Sequence, residues 1–203
     1  MTAPASTNIS IFSLSHAQLL DGATDFLTAG LAWATAPDDL DLYGVRNATV
    51  TPNTSNASNT GDDAVLDYYN WLDDADVAIE QGYVSLKTLA RITGQPLSST
   101  ASGPAGAARI LGIDLYHEDS MNVAPFPMLL RCPASDEDGV TGSALIGLYK
   151  VKPGPFTLNG PQYKTGVAFS TTGKCLLSRK DELGQPFADG KRRVGKLITF
   201  FPG

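Results

Sequence analysis

The stretch PMLLRCPASDEDGVTGSALIGLYKV, residues 127–151, contains two apolar runs separated by a turn signal. The runs are Pro127–Cys132 and Ala144–Val151, and Asp138-Gly139 lies between them. The Asp-Gly pair favours the positive backbone φ that tight hairpin turns need, and short apolar runs of this kind are typical of buried strands. The stretch therefore predicts an antiparallel β-hairpin inside a β-rich core.

Further strand-like runs lie on both sides of this hairpin. Asp76–Gln81 alternates Val77 and Ile79 with polar or small residues, which predicts a half-buried strand with Asp76 and Glu80 facing outward. The other predicted strands are Leu42–Thr51, Ala108–Tyr116, Lys164–Thr172 and Val194–Phe201. Two further hairpin turns are predicted at Asn159-Gly160 and Thr172-Gly173.

Residues 85–94 give the clearest helix signal. Ser85 is placed to cap the N-terminus, apolar residues follow at helical spacing, and Gly94 is placed to end the helix. The irregular apolar residues near 16–20 are compatible with a second, short helix. With one firm helix and about seven or eight strands, we predict a mainly β fold, a β-sandwich or barrel with one flanking helix.

The chain of 203 residues is long enough for one domain with a substantial core. Since no repeat or linker divides the sequence, we predict an N-terminal arm over residues 1–41 and a single β-sandwich domain over residues 42–203. The run PNTSNASNTGDDA is rich in Asn, Ser and Thr and predicts a long exposed loop over residues 52–73. No signal peptide or membrane-spanning stretch is expected.

Charge is divided unevenly between the two parts of the chain. Residues 1–80 contain twelve acidic residues and one basic residue, whereas residues 81–203 contain fourteen basic and nine acidic residues. The net charge of −6 disfavours tight binding of nucleic acid. Opposed charges on one chain suit a protein that stacks on copies of itself.

The sequence lacks the usual signatures of catalysis. The two histidines, His16 and His117, stand in no nucleophile motif, and the glycines of residues 103–106 lack the Lys-Ser/Thr of a phosphate-binding loop. Cys132 and Cys175 have no metal or redox spacing and are expected to be buried free thiols. We therefore expect no enzyme activity, no cofactor and no resident metal. The alternative is a Ca²⁺ site on Asp73, Asp74 and Asp76.

The acidic stretch of residues 62–76 also contains interleaved aromatic residues, which are typical of interface anchors when they are exposed. Packing onto the core of the same domain, or a solvated acidic face, is the alternative. The basic cluster near the C-terminus is predicted to pair with acids of another subunit. The candidate interface residues are Trp33, Tyr68, Tyr69, Trp71, Asp73, Asp74, Lys191, Arg192 and Arg193.

Several blocks of the sequence resemble the major tail proteins of long-tailed bacteriophages, especially phages of actinobacteria. The resemblance covers about residues 15–95 and 125–200 and is carried by block similarity rather than by a catalytic motif. The blocks are DLDLYGVRNATVTPNTSN at residues 39–56, NTGDD at residues 59–63, LYKV at residues 148–151 and GPQYKTG at residues 160–166.

The resemblance implies a tail-tube protein that forms stacked rings, commonly hexameric, around a tape-measure protein. It also implies contacts with tail terminator and distal tail proteins, passage of DNA through the lumen without specific binding, no membrane insertion, and a place in the virion tail after assembly in the host cytoplasm. Asp76 and Glu80 are the predicted lumen residues, on a wall supplied by Leu42–Thr51, Asp76–Gln81, Ala144–Val151 and Lys164–Thr172.

Two other functions remain open from the sequence. One is another structural part of related fold, such as a tail terminator or the inner tube of a contractile injection machine. The second is a β-sandwich module that binds carbohydrate, with Tyr69 and Trp71 as stacking platforms.

Overall fold

A computed structural model of the chain describes residues 9–11, 14–20, 25–32, 41–42, 45–61, 64–82, 85–96, 98–100, 110–113, 123–159 and 168–201. Trp33, His117, residues 103–106, Gly160 of the predicted Asn159-Gly160 turn and the block at residues 160–166 lie outside these ranges. The described strands are β1 Ile9–Ile11, β2 His16–Leu19, β3 Asp41–Leu42, β4 Val45–Gly61, β5 Ala64–Gln81, β6 Ser98–Thr100, β7 Ile110–Gly112, β8 Phe126–Asp136, β9 Thr141–Asn159, β10 Ala168–Leu176 and β11 Gly195–Phe200. The described helices are α1 Phe26–Ala32 and α2 Leu86–Thr93.

Nine of these strands form one antiparallel sheet in the order β3-β2-β8-β9-β10-β5-β4, with β1 beside β8 and β11 beside β9. The strands at the two ends of this order are consecutive in the chain, because β3 ends at Leu42 and β4 begins at Val45. Three Cα–Cα steps span at most about 11 Å. The sheet therefore curls back on itself, and the prediction of a mainly β fold with a flanking helix is confirmed.

The inner face of the curled sheet holds the larger apolar core. Strands from both ends of the sheet contribute to it, since Leu42 of β3 and Val77 and Ile79 of β5 belong to the same buried cluster. Asp76 and Glu80 are exposed, so the alternation predicted for Asp76–Gln81 is confirmed. The other members of the cluster are Ala17, Leu19, Ala75, Ile92, Phe126, Met128, Leu130, Leu148, Val151 and Cys175.

Helix α1 covers the outer face of β8 and β9. Asp25 begins this helix, and its carboxylate accepts a hydrogen bond of 2.8 Å from the backbone N–H of Thr28, which holds the pKa of Asp25 below its usual range. Phe26 is fully buried against Tyr149, and Gly147 provides the space for its ring. No pattern in the sequence indicates this helix. Neither described helix is long enough to cross a bilayer.

The predicted helix over residues 85–94 is confirmed with both of its caps. The backbone N–H of Lys87 donates to the Ser85 hydroxyl at 3.3 Å, and Gly94 ends the helix in the left-handed region at φ +71°. Ile92 points into the inner core and connects this helix to the curled sheet.

The hairpin predicted over residues 127–151 is confirmed and is longer than predicted. Asp136 and Val140 close the turn, and Gly139 adopts φ +79°. Cys132 and Cys175 are buried free thiols, as predicted, and burial raises the pKa of Cys175 to about 11.

Two local predictions are wrong, and the short helix that the sequence left open near residues 16–20 is absent. Residues 16–19 form strand β2 rather than a helix, because pairing with β8 outweighs local preference. The N-terminal arm of residues 1–41 contains core elements, since β1 and β2 pair with β8 and Ala17 is fully buried. Gly173 lies inside β10 and does not form the predicted hairpin turn. A Cβ added at this position would lie 2.8 Å from the carbonyl oxygen of Lys152, so the glycine permits β9 and β10 to approach closely where their register is irregular.

Candidate assembly interface

The predicted loop of residues 52–73 is instead most of a long antiparallel ribbon. Strand β4 pairs with β5 along its length, from Val45 opposite Gln81 to Gly61 opposite Ala64. Pairing between two strands satisfies the backbone groups that an Asn- and Ser-rich loop would leave to water, so the local composition is a poor guide here. The predicted long loop is therefore wrong over the described residues.

The outer part of this hairpin extends beyond the rest of the sheet. Strand β10 pairs with β5 only over Asp74–Gln81, so residues 54–61 and 64–73 form a two-stranded ribbon, called the ribbon below. Among the described strands, no third strand pairs with the ribbon. Eight residues of extended chain give it a length of about 25 Å. An isolated two-stranded ribbon is marginally stable in water, so the ribbon gains from a partner surface.

Three of the predicted interface aromatics lie on the ribbon and are exposed. The exposed fractions are 59% for Tyr68, 55% for Tyr69 and 49% for Trp71. Because successive side chains of a strand alternate, Tyr69 and Trp71 share one face of the ribbon and Tyr68 lies on the opposite face. The alternative of packing onto the core of the same domain is wrong for these three side chains.

A β-bulge at Asp73 separates the ribbon from the main sheet. Asn53 pairs with Asp74 and Thr54 pairs with Leu72, so Asp73 is an additional residue in β5. The Ser55 hydroxyl donates to the Asp73 carboxylate across the two strands. Bulges bend a strand and increase its twist, so this one sets the direction in which the ribbon leaves the sheet.

A cluster of charged and amide side chains lies at the base of the ribbon. The Lys174 ammonium is 2.7 Å from Asp76 Oδ1 and 3.3 Å from Asp74 Oδ1. The Asn53 amide donates to Asp74 at 2.6 Å and to Asp76 at 3.0 Å. The hydrogen bond from Lys174 lowers the pKa of Asp76, and the same bond raises the pKa of Lys174.

This cluster also bears on the Ca²⁺ alternative. Lys174 and Asn53 already satisfy the carboxylates of Asp74 and Asp76, and Ser55 donates to Asp73. Across the described part of the chain, no group of three metal-binding side chains is arranged around a common point. The three aspartates thus act as hydrogen-bond acceptors at the base of the ribbon.

Replacing Lys174 with Met is expected to raise the pKa of Asp76 toward its ordinary value of 3.8. In the wild type the lowered pKa of Asp76 stabilises the fold at every pH above that ordinary value. This stabilisation is lost as the pH falls through the lowered pKa. On the alkaline side, the ion pair persists until the pH rises above the raised pKa of Lys174. The variant should therefore be less stable at neutral pH and converge with the wild type in acid.

NMR titration of the Asp76 carboxyl, together with urea unfolding at pH 7 and at a pH below the wild-type Asp76 pKa that the titration gives, measures both effects. Lys150→Met is the matched control, because Lys150 is exposed and is not among the partners of Asp76. An unchanged Asp76 pKa in Lys174→Met would contradict the assignment.

The predicted basic cluster is used partly within the chain. Arg193 forms an ion pair of 2.8 Å with Asp189, and its guanidinium lies 4.6 Å from the centre of the Phe187 ring. Pairing of Arg193 with another subunit is therefore not required, because a neighbouring acid already satisfies it. Lys191 and Arg192 are exposed.

The predicted lumen strands fall into two groups. β4, β5 and β10 have an exposed polar outer face that carries Asp76 and Glu80, and Arg46 lies 3.9 Å from Glu80. Ala144–Val151 of β9 is different, because Leu145 and Tyr149 are buried beneath α1 while Leu148 faces the inner core. Apart from the exposed Lys150, the side chains of Ala144–Val151 are buried or half-buried, so little of this stretch is open to line a lumen. Lys164, the first residue of the predicted lumen strand Lys164–Thr172, lies outside the described residues.

No family model matches this chain, and no curated protein matches it. The ribbon and its base are therefore identified from the structure of this chain alone.

No sequence pattern identifies Lys174, Asn53 and Ser55 as members of this region. Lys174 is 98 residues away from Asp76 in sequence, so only strand pairing brings the two together. A usable signal lies in residues 64–73, where Tyr69 and Trp71 alternate with other residues. Their aromatic content is typical of a strand, although the partner strand β4 has the composition of a loop.

Proposed function

We propose that this chain is a structural subunit of a bacteriophage tail, the major tail-tube protein of a long-tailed phage. Copies form stacked rings, hexameric in the expected case, that enclose a hollow conduit for genome ejection. The observation that carries the proposal is the ribbon, which extends about 25 Å beyond its own sheet with three exposed aromatic side chains.

The ribbon favours self-assembly for energetic reasons. Large aromatic side chains that are half exposed in the monomer gain most from burial against a partner, and such residues dominate the binding energy of interfaces. A contact between the ribbon and a different surface of a second copy is head-to-tail, and head-to-tail contacts close into rings when their rotation permits.

The outer face of β4, β5 and β10 suits the wall of a conduit. Its exposed side chains are mostly small polar or acidic residues; the basic Arg46 lies 3.9 Å from Glu80, and Lys174 is neutralised by two aspartates. A strongly basic wall would retain DNA through its phosphates, whereas a neutral or acidic wall lets it slide. In the proposed tail the lumen first holds a tape-measure protein, and terminator and distal tail proteins contact the ends of the tube.

Negative-stain microscopy and sedimentation velocity of the concentrated protein test the proposal. We expect rings or tubes with a central channel, at a protein concentration that depends on salt. Because tube growth often needs a nucleus, the experiment includes seeding with preformed assemblies. A chain that remains monomeric across concentration and salt, with and without crowding agents, would contradict the proposal.

A second candidate function is carbohydrate binding on the ribbon. Tyr69 and Trp71 project from one face two residues apart, beside the polar side chains of Ser55 and Asp73. Flat aromatic rings flanked by hydrogen-bonding groups are a surface on which sugar rings stack. A monomer that binds a glycan array through Trp71, and does not assemble, would favour this function over a tail tube.

A further inference from the structure

The surface that receives the ribbon needs a definite chemistry. The ribbon contains Asp67 and Asp73 and no basic residue, in addition to its three exposed aromatic side chains. A complementary surface therefore carries exposed basic groups, which attract the aspartates and also stack on aromatic rings. Exposed aliphatic side chains beside them would cover the apolar part of the ribbon.

A surface of this kind lies between β10 and β11. Residues 178–193, called the C-terminal segment below, contain five basic and three acidic residues. Four of the basic side chains are exposed and take no part in the ion pair between Arg193 and Asp189, and the same segment contains the exposed Leu183. These four are Arg179, Lys180, Lys191 and Arg192.

The C-terminal segment is held in place before any partner arrives. Backbone bridges join Ser178 to Arg193 and Lys180 to Pro186. Phe187 packs edge-on against Tyr149 with ring centres 5.3 Å apart. Lys196 of β11 forms an ion pair with the buried carboxylate of Glu182. A fixed surface loses little conformational entropy on binding, which favours its use as a docking site.

We propose that the ribbon of one copy docks on the C-terminal segment of a second copy. This inference rests on the proposed function, because it names the two surfaces that join one subunit to the next. Asp73 of the ribbon meets the basic side chains of the segment, and Tyr69 and Trp71 cover Arg192 and Leu183.

A second copy is the occupant that the structure favours. The acidic ribbon and the basic segment belong to the same chain and differ in charge sign, so every copy supplies both halves of the contact. The three ribbon aromatics are about half exposed in the monomer, so part of their surface remains to be buried by a second copy. The contact is heterologous and leaves one ribbon and one segment unused after each addition, so assembly continues until a ring closes.

A charge-swap experiment tests the docking. Asp73→Lys and Arg192→Glu are each expected to raise the concentration of half-assembly by roughly tenfold or more, because each places like charges opposite each other. The combined variant is expected to recover most of the loss, and so is an equal mixture of the two single variants. Sedimentation velocity at low and moderate salt measures the assembled fraction.

Two controls separate docking from folding. Asp73→Asn keeps an acceptor for the Ser55 hydroxyl while it removes the charge, and should lie between the wild type and Asp73→Lys. Asp138→Lys reverses an exposed charge in the turn between β8 and β9 and should assemble like the wild type. Circular dichroism and thermal unfolding of every variant should match the wild-type monomer.

The outcomes distinguish the two proposals. If the wild type assembles and neither single reversal weakens assembly, or the combined variant is no better than the worse single variant, the docking is overturned and the tail-tube proposal stands. If the wild type assembles under no condition, the tail-tube proposal fails and the docking fails with it.

Discussion

Replacing Tyr69 and Trp71 with Ser is expected to abolish assembly while the monomer stays folded. Both side chains project from one face of the ribbon and are about half exposed, so the monomer loses little packing when they are removed. An aromatic hot spot at an interface contributes about 2 kcal/mol or more, which is roughly thirtyfold in an association constant. Two such losses at each contact raise the concentration needed for assembly beyond the practical range.

Single substitutions locate the contact on the ribbon. Tyr68→Ser removes an aromatic side chain of similar exposure from the opposite face, and it is the matched control for Tyr69→Ser. A larger effect of Tyr69→Ser would assign the interface to the face that also carries Ser55 and Asp73. The outcomes that contradict the prediction are intact tubes in the double variant, and a double variant whose monomer is unfolded.

The substitution Phe26→Ala is expected to cost the chain about 3–5 kcal/mol of unfolding free energy, the usual range for a buried Phe that leaves a cavity. Phe26 is fully buried and stacks on Tyr149 with ring centres 5.7 Å apart, and the Lys196 ammonium lies 5.5 Å from its ring centre. Without the ring, α1 loses its main anchor on the outer face of β8 and β9. Urea unfolding followed by circular dichroism measures the loss.

Leu27→Ala is the matched control, because Leu27 is the next residue of the same helix and is 37% exposed. It should change the free energy of unfolding by about 0.5 kcal/mol or less, as substitutions outside the core usually do. Gly147→Ala provides an independent check, since an added Cβ would overlap the Phe26 ring. That variant should be destabilised in the wild-type background and much less so together with Phe26→Ala. A loss below about 1 kcal/mol in Phe26→Ala would show that α1 contributes little to the core.

These two predictions concern the parts of the molecule that the sequence pattern describes least well. One strand of the ribbon, β4, has the composition of a loop. Helix α1 is short and has neither an acidic residue in its first turn nor a basic residue in its last turn. Both form because of partners outside their own stretch of sequence: the next strand, β5, for the Asn- and Ser-rich strand β4, and the distant Gly147 and Tyr149 for Phe26. Propensity is a weak prior where tertiary pairing supplies most of the free energy.

The parts that the sequence predicts well are those in which local signals agree with one another. Helix α2 has a capping Ser85, an apolar face and a terminal Gly94, and the structure has all three. The hairpin of β8 and β9 has two apolar runs and an Asp-Gly turn between them. The aromatic candidates at 68, 69 and 71 are exposed, as an interface requires, although the predicted loop that carries them is a ribbon.

The sequence by itself determines the mainly β class, helix α2, the buried thiols and the outward direction of Asp76 and Glu80, because turn chemistry, capping and alternation act over a few residues. Only the tertiary structure decides that the sheet curls until β3 and β4 meet, that Lys174 sits between Asp74 and Asp76, and that residues 54–61 and 64–73 extend as a ribbon. The first two features depend on strands that pair across about one hundred residues or more, whereas the ribbon depends on pairing between β4 and β5, which follow each other in the chain. Strand pairing at that distance is set by the combined burial of many side chains, which no local pattern specifies.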